Sequence, residues 1–259
     1  MLPVAETTPV PSFISDGIAI AYDIHGEGRP TLLIHGFGSS GKVNWVDTGW
    51  VETLNTAGYQ AITIDNRGHG ASRKLYDSKL YFAHEMAEDA RRLLDHLGLQ
   101  RVPVIGYSMG ARIAAFLALR HPERVAAMVW GGMGLNLVTG LSDSEEIISA
   151  LTADSIEEVR GKVGRLFRNF ADATKSDRAA LAACMVSSRE PMHEAHVRTI
   201  ETPVLIAAGS EDDMAGDPAP LAALLPHAEV LVIERRDHMR ATGDPQFKRA
   251  ALSFLARQE

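Results

Sequence analysis

Apolar positions along this chain follow two rhythms, and each change of rhythm marks a change of element. The runs Thr31-Leu32-Leu33-Ile34, Ala61-Ile62-Thr63-Ile64, Val102–Ile105, Val125–Trp130, Pro203–Ala207 and Val230–Ile233 are continuous rather than alternating. Short unbroken runs rich in β-branched residues suit strands buried on both faces. Between them the apolar residues recur at helical spacing. Phe82, Met86, Leu93, Leu94 and Leu97 fall on one side of a helix over Tyr81–Leu97, and Gly98 stands where it should stop. A helix over about 44–56 offers Trp45, Val51 and Leu54 to a core, and further helices are expected after Ser108, over Ala219–Leu225 and over Pro245–Arg257. Near the start, Phe13–Ser15 and Ile18–His25 flank Asp16-Gly17, a strong hairpin signal. Strand followed by helix, repeated, predicts a mostly parallel, doubly wound α/β sheet. Such sheets bind ligands at the carboxyl ends of their strands.

The alternation lapses after Gly134. From Leu135 to Ile200 the pattern is helical throughout, with Ser142-x-x-Glu145 and Ser155-x-x-Glu158 reading as capping boxes, Ser176-Asp177-Arg178 opening a third segment and Pro191 a fourth. The expected division is therefore a core of residues 1–134 and 201–259, interrupted by a helical cap over 135–200. The first dozen residues, rich in Pro and Thr, are expected to be extended or frayed.

Composition narrows the picture. With 259 residues the chain suits one α/β domain carrying an insertion. A chain of that length buries roughly three quarters of its unfolded surface and needs neither disulfide nor metal to stabilise its core. A net charge of −7 argues against a basic face for nucleic acid. No run approaches the ~18 apolar residues of a membrane span. The first residues lack the positive and apolar regions of a secretory signal. The single cysteine, Cys184, rules out an intrachain disulfide. Set among Ala182, Ala183, Met185 and Val186 it reads as a packed thiol rather than a nucleophile. A cytoplasmic protein acting on a small molecule, without cofactor or metal, is the expectation; oligomeric state is not legible.

Chemistry gathers at Gly106-Tyr107-Ser108-Met109-Gly110, a G-x-S-x-G between a strand and a helix. The sharp bend there turns the serine away from the sheet in a strained conformation, and glycines on either side remove the Cβ atoms that would collide. The Met109 amide, at the start of the helix, has no intrahelical acceptor and can donate to an oxyanion. The pentapeptide alone is not specific; partners decide. A serine hydroxyl needs a base. His238, leaving the last strand, should emerge at the same sheet edge, whereas His121 sits at the opposite edge and His84, His96, His193 and His196 fall within helices as surface or packing residues. The base needs a carboxylate to fix its tautomer. Glu211, Asp212 and Asp213, after the preceding strand, are the candidates.

Together these residues resemble the α/β-hydrolase fold superfamily, in particular its esterase-like members with a helical cap. His35-Gly36-Phe37-Gly38, Asp65-Asn66-Arg67-Gly68-His69-Gly70-Ala71-Ser72, the pentapeptide, Gly209-x-x-Asp212 and Asp237-His238 occur in the family's order, each at a strand end. The resemblance implies Ser108 as nucleophile, Asp212 as acid and His238 as base. It also implies a second oxyanion donor at the amide of Phe37, with His35, Arg67 and His69 as structural supports. Ala111 stands where many members have glycine. Serine at the elbow separates the chain from relatives that attack with a carboxylate there. The expected reaction is hydrolysis of a small, largely apolar ester. C–C bond cleavage or a lyase reaction, perhydrolysis, or a non-catalytic receptor are the alternatives that the same residues allow. Phe37 and Tyr107 are expected beside the substrate. Of the apolar cap residues Ile147, Ile148, Leu151, Val163, Leu166, Phe167, Phe170, Met185 and Met192, most should pack among themselves and the rest line an acyl pocket.

Overall fold

The continuous apolar runs become the strands of one sheet. In the computed structural model, which describes residues 10–140 and 143–258, the strands are β1 (Ser12–Ser15), β2 (Ile18–His25), β3 (Arg29–Ile34), β4 (Tyr59–Ile64), β5 (Val102–Tyr107), β6 (Val125–Gly131), β7 (Val204–Gly209) and β8 (Ala228–Ile233). Their order is β1-β2-β4-β3-β5-β6-β7-β8. β1 and β2 pair antiparallel, as do β2 and β4, and every pair from β4 to β8 is parallel. The hairpin joining β1 to β2 turns at Asp16 and Gly17, both with positive φ. That mirror-image turn matches the twist of paired strands.

Parallel neighbours need crossovers, and the helices supply them. They are α1 (Trp50–Thr56), α2 (Ala83–His96), α3 (Met109–Arg120), α4 (Asn136–Thr139), α5 (Ser144–Thr152), α6 (Lys162–Ala173), α7 (Arg178–Ser187), α8 (Glu194–Val197), α9 (Ala219–Ala222), α10 (His238–Ala241) and α11 (Pro245–Ala256). Because side chains of a strand alternate between faces, each buried run serves two cores. Leu32, Ile34, Val104, Met128 and Ile206 join the layer with α2 and α3, while Leu33, Ile105, Val129 and Leu205 join the layer with α1 and α11. This explains why the runs of β3 to β7 are continuous in sequence; the Val230–Ile233 run is not buried on both faces, because β8 is an edge strand and leaves Val230 and Val232 exposed.

Local capping moves some boundaries from where spacing puts them. The expected 44–56 helix is two pieces, a π-helical turn at Lys42–Val46 and α1, separated by Gly49 with φ 75°. Ser155 does not open α6. Residues 153–161 turn without forming a helix, and the Glu146 carboxylate of α5 accepts from the Gly164 amide at 2.6 Å, capping α6 from outside its own sequence. Ser142 of the other expected capping box, and the first nine residues of the expected frayed stretch, lie outside the described residues. α8 begins at Glu194, not Pro191, because the Met192 amide is taken by the Leu137 carbonyl at 2.8 Å and the His193 ring then caps Ala195. Asp177 is the N-cap of α7, accepting from Ala180.

Arg112 of α3 ties together distant points of the helical segment between β6 and β7. Its buried guanidinium donates to the carbonyls of Asn136 (2.7 Å), Leu137 (3.0 Å) and Glu190 (2.8 Å). Burial, with the nearby positive charge of Arg189, lowers its pKa to about 9. Among the described residues no helix is long and apolar enough to cross a membrane.

Candidate active site

Ser108 sits between β5 and α3 with φ 52° and ψ −111°, a strained conformation for a residue with a side chain. The surrounding geometry enforces it. The Ser108 amide donates to the Gly131 carbonyl at 2.7 Å, and its carbonyl accepts from Arg112 at 3.1 Å as the first bond of α3. A Cβ on Gly110 would strike the Ile34 carbonyl, and one on Gly106 the Gly110 carbonyl. The two glycines of the pentapeptide are therefore demanded by close backbone approach.

His238 opens α10, with Asp237 capping that turn through bonds from the Met239 and Arg240 amides. Its Nδ1 lies 2.8 Å from Oδ2 and 3.0 Å from Oδ1 of Asp212. A carboxylate can only accept there, so Nδ1 carries a proton, and in the neutral form of the ring the lone pair is on Nε2. Asp212 is itself fixed: its side chain is fully buried, and Oδ1 also accepts from the Met214 and Ala215 amides. Glu211 and Asp213 point outward as exposed residues. Of the three adjacent carboxylates, Asp212 is the one brought to the imidazole.

Ser108 and His238 line one cavity of about 270 Å³, together with Phe37, Val43, Phe167 and Phe170. Among the described residues neither the Ser108 hydroxyl nor His238 Nε2 is engaged in a hydrogen bond. Catalytic contacts of this kind tighten when substrate binds. The amides of Phe37 and Met109 likewise have no acceptor among the described residues. The loop bearing Phe37 is held by a turn from Ser39 N–H to the Gly36 carbonyl (3.2 Å) and by the Gly36 amide donating to Asn44 Oδ1 (3.0 Å). Ser108, Phe37 and the oriented His238 thus border a single space, with the Met109 amide next in the chain after Ser108.

The two histidines expected to support the site do so as neutral rings. His35 Nδ1–H donates to the Gly36 carbonyl at 2.7 Å and its Nε2 accepts from the Asn66 amide at 3.0 Å. Burial pushes its pKa down to about 4, against a smaller opposing effect of the Gly36 bond. His69 donates to the Arg67 carbonyl at 2.9 Å and stands edge-on to the Phe37 ring. Burial first, then the neighbouring His35, lowers it to about 3. Arg67 makes two bonds of 2.7 Å to Asp89, a buried ion pair beneath this loop.

Several residues carry duties that spacing does not reveal. Tyr107 lines the cavity, but its hydroxyl donates to the His238 carbonyl at 2.5 Å and its ring lies 5.5 Å from the imidazole. It braces the base. Only its place before the serine could have hinted at this. Asn44, whose side chain holds the Phe37 loop, carried no signal in sequence. Of the other histidines, His121 bonds Glu88, His84 bonds Glu190, His96 stacks on Phe13 and His193 caps α8, all structural. Cys184 is buried against the Met109 sulfur, its thiol pushed up to about 12 mainly by burial. Phe167 and Phe170 of the insertion face the cavity, whereas Leu166 is 41% exposed. Among the described residues no three His, Cys, Asp or Glu side chains gather as a metal-binding group.

Comparison with known proteins gives a consistent answer. Residues 30–193 match the family described as alpha/beta hydrolase fold. The chain is 38% identical over 112 residues to a 2-hydroxymuconate semialdehyde hydrolase of Pseudomonas putida, covering 43% of this chain and 39% of that protein. It is 37% identical over 106 residues to a non-heme chloroperoxidase of Kitasatospora aureofaciens, covering 41% of this chain and 37% of that one. These matches thus span about two fifths of the length of each curated relative. Among solved structures, a hydrolase from Pseudomonas aeruginosa superposes with TM-score 0.78 at 26% identity, over 95% of this chain and 98% of that one.

Proposed function

The chain belongs to the α/β-hydrolase fold family, and on that premise we propose that it is a serine hydrolase cleaving a small, largely apolar carboxylic ester through an acyl-enzyme. The observation that carries this reading is the contact of His238 Nδ1 with the buried Asp212 carboxylate, with Ser108 and Phe37 lining the same cavity as His238. We read the inserted helices as the cap that closes this cavity, since Phe167 and Phe170 form part of its apolar wall.

In this mechanism Nε2 of His238 takes the Ser108 proton as Oγ attacks the ester carbonyl. The amides of Phe37 and Met109 hold the oxyanion, and the imidazolium is stabilised by Asp212. His238 then gives its proton to the leaving alcohol. Water activated by the same nitrogen releases the acid. The base contributes on the order of 10²–10⁴ in rate and an oxyanion donor about 10²–10³. A second reading, hydrolysis of a C–C bond beside a carbonyl, draws on the likeness to the P. putida hydrolase and uses the same residues.

The test is turnover on short-chain p-nitrophenyl esters and on a 1,3-diketone panel, with Ser108→Ala as control. Ester turnover lost by at least about 10³-fold in Ser108→Ala is expected. Undiminished turnover in that variant would overturn the nucleophile assignment. Turnover of diketones alone would favour the second reading.

A further inference from the structure

A groove of about 510 Å³ borders the catalytic cavity at His238 and Met239. The two spaces share His238 and Met239, yet Ser108 and Phe37 line only the inner one. One wall of the groove is α6, through Val163 and the exposed Leu166; the other is the loop after β7, through Met214. Lys162 and Arg165 on the first wall are offset by Glu211 and Asp213 on the second. Asp237 pairs with Arg240 at 3.7 Å.

We propose that this groove binds the alcohol portion of the substrate, and that the ester hydrolysed is one of a neutral, bulky, aryl-bearing alcohol with a smaller acyl group. This rests on the serine hydrolase reading above. In acylation the bond from Ser108 Oγ to the acyl carbon forms as the bond from that carbon to the alkoxy oxygen breaks. The serine proton passes through His238 Nε2 to that oxygen. The departing oxygen must therefore sit at the imidazole, while the acyl group stays with Ser108 and the two amides. A space that continues from the imidazole but contains neither serine nor amides lies on the alcohol's side of the breaking bond. It has nearly twice the volume of the inner cavity, so the larger part of the ester belongs there. Offset charges and the apolar surfaces of Val163, Leu166 and Met214 favour an uncharged aromatic group over an ion.

The experiment compares kcat/KM, which reports acylation, for ethyl acetate, 2-phenylethyl acetate and ethyl phenylacetate. Ethanol and 2-phenylethanol leave with similar basicity, so a difference between the two acetates reports binding rather than bond strength. The wild type is expected to prefer 2-phenylethyl acetate to ethyl acetate by about tenfold, the scale on which burial of an aromatic group acts. Leu166→Trp fills the groove from an exposed position. It should remove most of that preference while ethyl acetate and ethyl phenylacetate change less than about twofold. As a second measurement, 2-phenylethanol should inhibit ethyl acetate hydrolysis competitively in the wild type and several-fold more weakly in Leu166→Trp. Equal use of the two acetates overturns the proposal. So does a Leu166→Trp loss confined to ethyl phenylacetate, which would put the acyl group in the groove. Normal ethyl acetate turnover in those cases leaves the hydrolase reading standing. Absence of turnover on every ester, with Ser108 unreactive to a fluorophosphonate, overturns that reading and this one together.

Discussion

In the proposed mechanism Ser108, His238 and Asp212 are worth little singly, because each supplies what the next lacks: an acid hydrogen, a lone pair, a fixed charge. Effects of residues acting as a unit are non-additive. Ser108→Ala and His238→Ala are therefore expected to cut kcat/KM on a small ester by similar factors, and the double variant by little more; losses that multiply would show independent action. Tyr107 offers a sharper prediction. Tyr107→Phe keeps the ring in the core with Phe247 but deletes the bond to the His238 carbonyl. A misplaced imidazole should lower kcat about tenfold with KM little changed, since small displacements of a reacting group are costly. A raised KM with unchanged kcat would instead make Tyr107 a substrate contact, as its place beside the serine suggests. At this scale the sequence pointed to the candidate side chains that the structure brings to one site, because serine, imidazole and carboxylate have few substitutes and each follows a strand. It did not reach Asn44, which meets Gly36 eight residues away, or the hydroxyl of Tyr107, which meets His238 131 residues away, because neither separation follows a spacing rule.

Elements place these groups, and their packing should fail in particular ways. The pair Arg67–Asp89 is buried on both sides, with side-chain exposures of 2% each. Removing one partner leaves the other charge unpaired, so Asp89→Ala should cost about 3–5 kcal/mol in denaturant unfolding, whereas a surface pair such as Arg198–Glu194 should cost under about 1 kcal/mol. Equal costs would contradict the burial argument. The sheet was the most legible part of the chain, since a strand buried on both faces must be apolar at every position. Helix starts within the insertion were the least legible. Ser155 has the local form of a cap, but α6 takes its capping acceptor from Glu146 of a neighbouring helix, and α8 is delayed by a bond from Met192 to Leu137. Where a backbone donor is satisfied by a distant residue, propensity near it says nothing about the boundary.

Across the whole molecule, acid should weaken the fold before it reaches the ordinary carboxylates. His35 and His69 have ordinary values of 6.5 in the unfolded chain and about 4 and about 3 when folded. Between those limits the unfolded state binds protons that the folded state refuses. Stability is thus complete above about pH 6.5 and falls as pH drops, by up to about 1.4 kcal/mol per pH unit for each ring. Unfolding followed from pH 6.5 to 5 should show this loss, and His69→Gln, which keeps an amide donor for the Arg67 carbonyl, should lessen it; an unchanged slope would remove His69 from the account. The protein as a whole is a sheet whose strand ends bring distant residues to one edge, and we propose that Ser108 and His238 act there as one. The rate at which a fluorophosphonate modifies the protein, with the adduct mapped by mass spectrometry, tests it most directly. A single adduct on Ser108, formed at least about 10²-fold more slowly in His238→Ala, is the predicted result. An adduct elsewhere, or a rate indifferent to the loss of the imidazole, would contradict it.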